Sequence, residues 1–396
     1  MLITAAQALA GPDLRPVPDA AVLVREGVIA AVGPREEVER HAQLDEPRLD
    51  FPDGTVLPGL IDAHVHLCFD AGPDAVATLQ AQDDETLFTA MAARARQLLH
   101  AGVTTARDLG DRNGLAVRLA QDTSTGAVAG PRIVPATTPL TPPGGHCWFL
   151  GGEVSGPDEA RRLVRRNVET SARVIKVMAT GGGLTKGGAD SWESQFSDEE
   201  LAAIVDEAHR AGLPVAAHAH GVDGIAAAVA AGVDSVEHCT WMTADGFEVR
   251  QDVLDRIVEQ NIYVCPTVSP NWRMLPTFFG AERAEAMFDA IRRMATSGAR
   301  LIAGTDAGVQ RAAFDGLPSA LTFYEHLGLP THRILAMATT EPAHALGLDD
   351  TTGQLTPGYS ADALVVHGDP LADLGALGSV AAVIAAGRHH DPTDKA

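Results

Sequence analysis

Eight short apolar runs alternate with helix-patterned segments through the middle of this 396-residue chain, at 56–66, 103–109, 132–136, 174–179, 215–220, 235–238, 262–266 and 301–305. Parallel strands need a crossover of about a dozen residues, and an intervening helix supplies it. The alternation therefore dictates βαβ units, and eight of them suffice to close a barrel of about 250 residues. The helical reading has local support where Ser197-Asp-Glu-Glu200 opens the run to Ala211-Gly212. Ser197 can cap that helix, and Glu200 stands at the reciprocal capping-box position.

Outside this core the pattern changes. Runs at 1–8, 20–25 and 28–33 read as strands, the last two joined by a hairpin at Glu26-Gly27. Further strands read at 363–366 and 380–385. The expected fold is α/β: a (β/α)8 TIM-like barrel over 57–355, with a small β-sandwich unit made from both chain termini, 1–56 and 356–396.

Composition narrows the function classes. A formal charge of −22 opposes binding to polyanions, so nucleic acid is not an expected partner. Cys68, Cys147, Cys239 and Cys265 form no Cys-x-x-Cys pair, which argues against a disulfide framework and a cysteine-only zinc site. No apolar stretch reaches the roughly 18 residues of a membrane span, and the start Met1-Leu2-Ile3-Thr4 lacks a basic region before an apolar one. No membrane partner and a cytoplasmic location are expected.

Metal-ligand side chains recur where the runs end: His64 and His66, Lys176, His218, His238 and Asp306. In a barrel the C-terminal strand ends converge on one mouth. His64 and His66 lie two apart on a strand, hence on one face, as do His218 and His220. A lone His-x-His is a weak signal, and a strand-end polar residue is ordinarily just hydrogen-bonded. Coincidence at strands one, four, five, six and eight together is what points to a metal site. Lys176, in Val174-Ile-Lys-Val-Met178, is an ammonium on a buried strand. It needs either a salt bridge or conversion to another species, and burial favours the neutral amine that could take up CO2 as a carbamate.

The chain resembles the amidohydrolase superfamily in its segments PGLIDAHVH, RVIKVMATGGG, PVAAHAHG, SVEH, AGTDAG and GQLTPGYSADALVV. It is most similar to the branch holding Xaa-Pro dipeptidases, ochratoxin-type amidases and imidazolonepropionase-like hydrolases. The resemblance implies two divalent ions, usually Zn2+, with His64, His66 and Asp306 on one and His218 and His238 on the other. Lys176, carrying a CO2-derived carbamate, would bridge them, and Asp306 would also serve as general base and acid. Superfamily deaminases and imidazolonepropionases typically carry Glu two residues after the strand-five histidine, where this chain has His220. That departure favours amide, peptide or carbamate hydrolysis over deamination. By the same likeness His146, in Gly144-Gly-His-Cys147, and His220 are expected to contact substrate, and family members commonly form homo-oligomers.

Specificity is expected from loop aromatics with scattered cations, Arg273 and Arg311 among them, suited to a small molecule with an apolar group and one carboxylate. The leading expectation is hydrolysis of a dipeptide or N-acyl amino acid. The alternatives are a xenobiotic-type amidase, a carbamate or urea hydrolase, and a mononuclear deaminase.

Overall fold

The computed structural model describes residues 1–392; the last four residues of the expected terminal unit lie outside that range. The chain forms a mixed α/β fold with three sheets. The first sheet joins both ends of the chain. It contains β1 (Leu2–Ala10), β2 (Arg15–Arg25), β3 (Val28–Pro34), β4 (Arg48–Pro58), and, after the central region, β13 (Ala363–His367), β14 (Val380–Ala385) and β15 (Arg388–His390). Their order is β15-β14-β13-β4-β1-β2-β3. Only β1 and β4 pair in parallel; the other neighbours are antiparallel.

Two expectations change here. The terminal unit is one continuous seven-stranded sheet, where two packed sheets were expected. Alternate residues such as Ile3, Ala5, Val22, Val56, Val365 and Ile384 gather in a core of its own on one face. Leu57, Leu364, Val366 and Val383 join the main core of the molecule. The run at 56–66 is also two strands, not one. It breaks at Gly59, where a Cβ would stand 2.1 Å from Thr104 Oγ1. The chain crosses from one sheet to another at that close approach, three residues past the expected boundary.

The central strands are β5 (Leu60–Val65), β6 (Val103–Asp108), β7 (Arg132–Pro135), β8 (Ile175–Met178), β9 (Val215–Gly221), β10 (Ser235–Met242), β11 (Tyr263–Cys265) and β12 (Arg300–Leu301). All pair in parallel, but as sheets of three strands (β5-β6-β7) and five (β12-β11-β10-β9-β8), where one ring of eight was expected. Backbone bonds link the sheets at both seams. His66 N–H donates to Ala307 O at 2.8 Å and Asp306 N–H to His64 O at 2.9 Å; Leu140 N–H donates to Lys176 O at 2.8 Å. Every residue of β5, β6 and β8 is buried, as parallel strands covered by helices on their outer face require.

The helix Asp198–Arg210 carries the full capping box: Ser197 Oγ accepts from Glu200 N–H, and the Glu200 carboxylate accepts from Ser197 N–H. Ser197→Ala should lower unfolding free energy by about 1 kcal/mol, readable as a shifted urea midpoint with an unchanged slope. A midpoint that does not move would show that tertiary packing alone sets this helix start. Among the described residues no helix is long and apolar enough to cross a membrane.

Candidate metal centre

The two seams bring the strand ends together. His64 and Asp306 face each other across the junction of β5 with the segment after β12: His64 Nε2 lies 3.3 Å and His66 Nε2 3.5 Å from Asp306 Oδ1. No side chain fits between these segments. A Cβ on Gly304 would stand 2.7 Å from His64 Cβ, and one on Gly308, whose φ is +105°, 2.2 Å from His66 O. Asp306 itself holds φ 58° and His238 holds φ 66°. Non-glycine residues occupy the left-handed region at a cost of order 1 kcal/mol or more, and such positions cluster at functional sites.

His218, His220 and His238 form a second group, with one ring nitrogen of each within 4.8 Å of the others; His64, His66 and Asp306 satisfy the same limit. His220, expected against substrate, thus stands beside the two histidines expected to hold an ion. Its ring stacks on His238 at 4.4 Å, and the His218 ring lies 4.6 Å from that of His146. One carbonyl and two hydroxyls take ring nitrogens of these histidines. His218 Nε2 is 3.0 Å from Gly181 O, so it carries the proton and leaves Nδ1 as donor atom to a cation. His238 Nδ1 is 2.6 Å from Thr267 Oγ1 and His220 Nδ1 3.0 Å from Thr240 Oγ1.

Burial dominates the electrostatics. It pushes His66 and His146 down to about 3 and His220 to about 4, and takes His218 and His238 well below the ordinary imidazole value. Neutral imidazole is the form that binds metal. Burial would raise Asp306, yet His64, His66 and Lys176 outweigh it and hold the carboxylate below its usual range. Burial also lowers Lys176. Its Nζ has no hydrogen-bond partner, and neither does His64 Nε2, although both are buried. Two orphaned polar atoms inside clusters of neutral histidine and ionised carboxylate are what a divalent cation site, with a modified lysine, would leave when seen without its ions. The donor set fits.

Behind His64 stands a network that the sequence reading missed. Glu237 Oε2 lies 2.8 Å from His64 Nδ1, while Oε1 takes Arg107 Nη2 at 2.8 Å and Ser235 Oγ at 2.6 Å. Arg107 Nε also donates to Ala63 O at 2.6 Å. Strand alternation would send Glu237 and His238 to opposite faces. The left-handed His238 defeats that rule and brings both into the site. On the other side Asp62 accepts from Thr305 Oγ1 at 2.6 Å and from the backbone N–H of Thr305 and His64, fastening the seam.

A cavity of about 440 Å³ opens onto these groups, and His66, His146, Lys176, His218, His220, His238 and Asp306 all line it. Its remaining wall is largely apolar, with Phe279, Phe288, Phe323, Met287 and Ile291. All five sit on helices, where loop aromatics were expected to supply the wall. Arg273 and Arg311 do not line it. Each guanidinium lies over an aromatic ring, Arg273 at 4.2 Å from Trp272 and Arg311 at 4.6 Å from Phe278. A second cavity of about 380 Å³ adjoins through shared Gly183, Leu184 and Gln310 and carries Trp148, Phe149 and Lys186.

The buried groups set an acid limit. Between about pH 4.5 and 6 the five cavity histidines are neutral when folded but protonate on unfolding, whereas Asp62, Asp108 and Asp111, raised by burial to about 6, to about 7 and well above the ordinary value, keep protons that the unfolded chain releases. Five against three leaves the unfolded state binding about two more protons, so stability falls as pH falls. Metal-free protein should lose roughly 3 kcal/mol per pH unit in this window. Urea midpoints at pH 6 and pH 5 measure it, and a midpoint that held or rose at pH 5 would contradict this balance.

The chain is similar to known proteins over most of its length. Residues 55–389 match the amidohydrolase family model. Ochratoxinase from Aspergillus niger is 28% identical over 91% of this chain and 80% of its own length. Imidazolonepropionase from Symbiobacterium thermophilum is 26% identical over 89% and 85%. The structure of a Xaa-Pro dipeptidase with methionine in its active site superposes with a TM-score of 0.85 at 28% identity, covering 98% of this chain and 99% of that one. The chain therefore belongs to the amidohydrolase family and is a hydrolase.

Proposed function

We propose that this chain is a binuclear metal-dependent amidohydrolase that cleaves the amide bond of a dipeptide or N-acyl amino acid bearing a bulky apolar group. The carrying observation is the convergence of two donor groups and an orphaned buried lysine on the wall of one apolar cavity. In this reading the eight parallel strands act as one closed (β/α)8 barrel over 57–355, beside the terminal unit of 1–56 and 356–396. His64, His66 and Asp306 would hold one ion and His218 and His238 the other, and Lys176, as a carbamate, would be shared between them. Zn2+ suits imidazole and carboxylate donors. When bound, such ions make water acidic enough to attack near neutral pH and polarise the scissile carbonyl.

The chain's own residues do the rest. The Asp306 carboxylate stays ionised and can take the proton of the attacking water, then deliver it to the leaving nitrogen. His146 and His220, neutral and facing the cavity, contact the substrate. Phe288, Phe323 and Met287 take its apolar group. Arg273 and Arg311, each lying over an aromatic ring outside the cavity, meet a substrate carboxylate only where the substrate extends past the cavity wall. A second reading, a neutral amide, carbamate or urea as substrate, is favoured by one observation: no arginine lines the cavity.

One experiment tests both. Metal content is measured on protein purified without chelator, alongside turnover of N-acyl amino acids and of their neutral amides. Two zinc-class ions per chain with release of an organic amine is expected. A KM for the free acids that rises about tenfold in Arg273→Ala or Arg311→Ala supports the first reading, and preference for the neutral amides with no such rise supports the second. One ion with ammonia release would overturn both in favour of a deaminase.

A further inference from the structure

Glu237 makes no part of the reaction just described, yet it is fully buried with a charge, which is costly unless something requires it. We infer that Glu237, clamped by Arg107 and Ser235, is a positioning residue that fixes the tautomer and the direction of His64, so that this imidazole presents Nε2 to a divalent cation. This role rests on the metal-binding reading above.

The chemistry of the contacts forces the tautomer. An ionised carboxylate only accepts, so the 2.8 Å contact from Glu237 Oε2 to His64 Nδ1 places the ring proton on Nδ1. In the neutral ring that a metal ion requires, the lone pair is then on Nε2, the nitrogen that is buried without a hydrogen-bond partner and 3.3 Å from Asp306 Oδ1. The carboxylate cannot swing away, because Arg107 and Ser235 occupy Oε1. Arg107 is anchored in turn on Ala63 O, one residue before His64, so β5, β6 and β10 share one polar lock. An outer carboxylate of this kind raises the basicity of a ligating histidine as well as aiming it.

Another occupant of this corner can be weighed. His64, Glu237 and Cys265 also bring ligand atoms within 4.8 Å of one another. A cation there would compete with the Arg107 guanidinium already 2.8 Å from Glu237, and burial keeps the Cys265 thiol protonated. The corner supports a ligand; it does not hold an ion.

A purely structural ion pair would tie the strands together without touching metal affinity, and this separates the two roles. Zinc affinity is measured by competition with a chromophoric chelator on the stripped full-length protein, with thermal unfolding of the same metal-free samples. Glu237→Gln should weaken zinc binding at one site by about 10–100-fold. That variant leaves Arg107 unpaired, which destabilises a fold on its own account, so the double variant Arg107→Met/Glu237→Leu removes both charges at similar volume. Replacing a buried ion pair in this way commonly leaves the fold as stable as before, and here zinc affinity should still fall by at least 10-fold. A stable double variant that binds zinc as tightly as the wild type overturns the positioning role. Wild-type protein that takes up no zinc overturns the metal-binding reading itself, and this role with it.

Discussion

Lys176→Ala should remove one equivalent of bound metal and cut hydrolysis by about 10³-fold or more, while leaving the metal-free fold intact or slightly more stable. The amine is buried without a hydrogen bond: Nζ has no hydrogen-bond partner, on a strand whose four residues are all buried. An ammonium in that position bears a heavy desolvation cost, opposed only by attraction to Glu237 and Asp306 and by no hydrogen bond, so its removal should cost the fold little. Burial lowers the amine toward its neutral, nucleophilic form. Carboxylation would then turn an unfavourable cation into an anion facing five neutral histidines. Losing that bridge takes away the charge that holds two cations close together, and about 4 kcal/mol of transition-state stabilisation corresponds to the stated loss in rate. Elemental analysis and steady-state rates on the purified variant measure both effects. If metal content and turnover survived together, Lys176 would be an ordinary buried lysine and the binuclear reading would fall.

How far the sequence foretold this site follows from which physical rule governs each residue. His64 and His66 obey strand alternation, so their shared face was legible from spacing alone. The capping box at Ser197 and the hairpin at Glu26-Gly27, both residues having positive φ, likewise depend on a few neighbouring residues. Glu237 was not legible, because the left-handed backbone at His238 breaks the alternation on which the reading relied. Arg107 met Glu237 only because the fold brings together strands of two different sheets, with the partners 130 residues apart, which no local pattern encodes. The break at Gly59 was hidden because the apolar run continues through it; only the Thr104 side chain, packed where a Cβ would be, shows why the chain leaves one sheet and enters another. The cavity wall was misplaced for a related reason. Phe288 and Phe323 read as the apolar stripes of amphipathic helices, and a residue facing a cavity cannot be told by periodicity from one facing a core.

Asp306→Asn should leave protein that folds and retains His64 and His66 near a cation, yet loses about 10²–10⁴-fold in kcat. The carboxylamide has the carboxylate's shape but cannot accept and release a proton, so the loss should fall on kcat more than on KM. The position is unusually constrained. Asp306 is left-handed, its N–H is bonded to His64 O at 2.9 Å, and its neighbours Gly304 and Gly308 are pressed against His64 and His66. A backbone fixed in this way aims the side chain whatever its charge, so in variant protein whose metal content equals that of the wild type the loss reports proton transfer and not placement. The pH dependence supplies a second reading. Because His64 and His66, and any cation bound between them, keep the carboxylate ionised below its usual range, Asp306 should add no acid limb to wild-type kcat/KM above about pH 5. A limb near pH 5 that vanished in the variant would show the carboxylate titrating normally and would displace it from the role of base. Retention of kcat within threefold would have the same consequence, and would pass the proton to His220 or His146, the other proton-carrying side chains on the cavity wall whose neutral forms persist to about 4 and about 3.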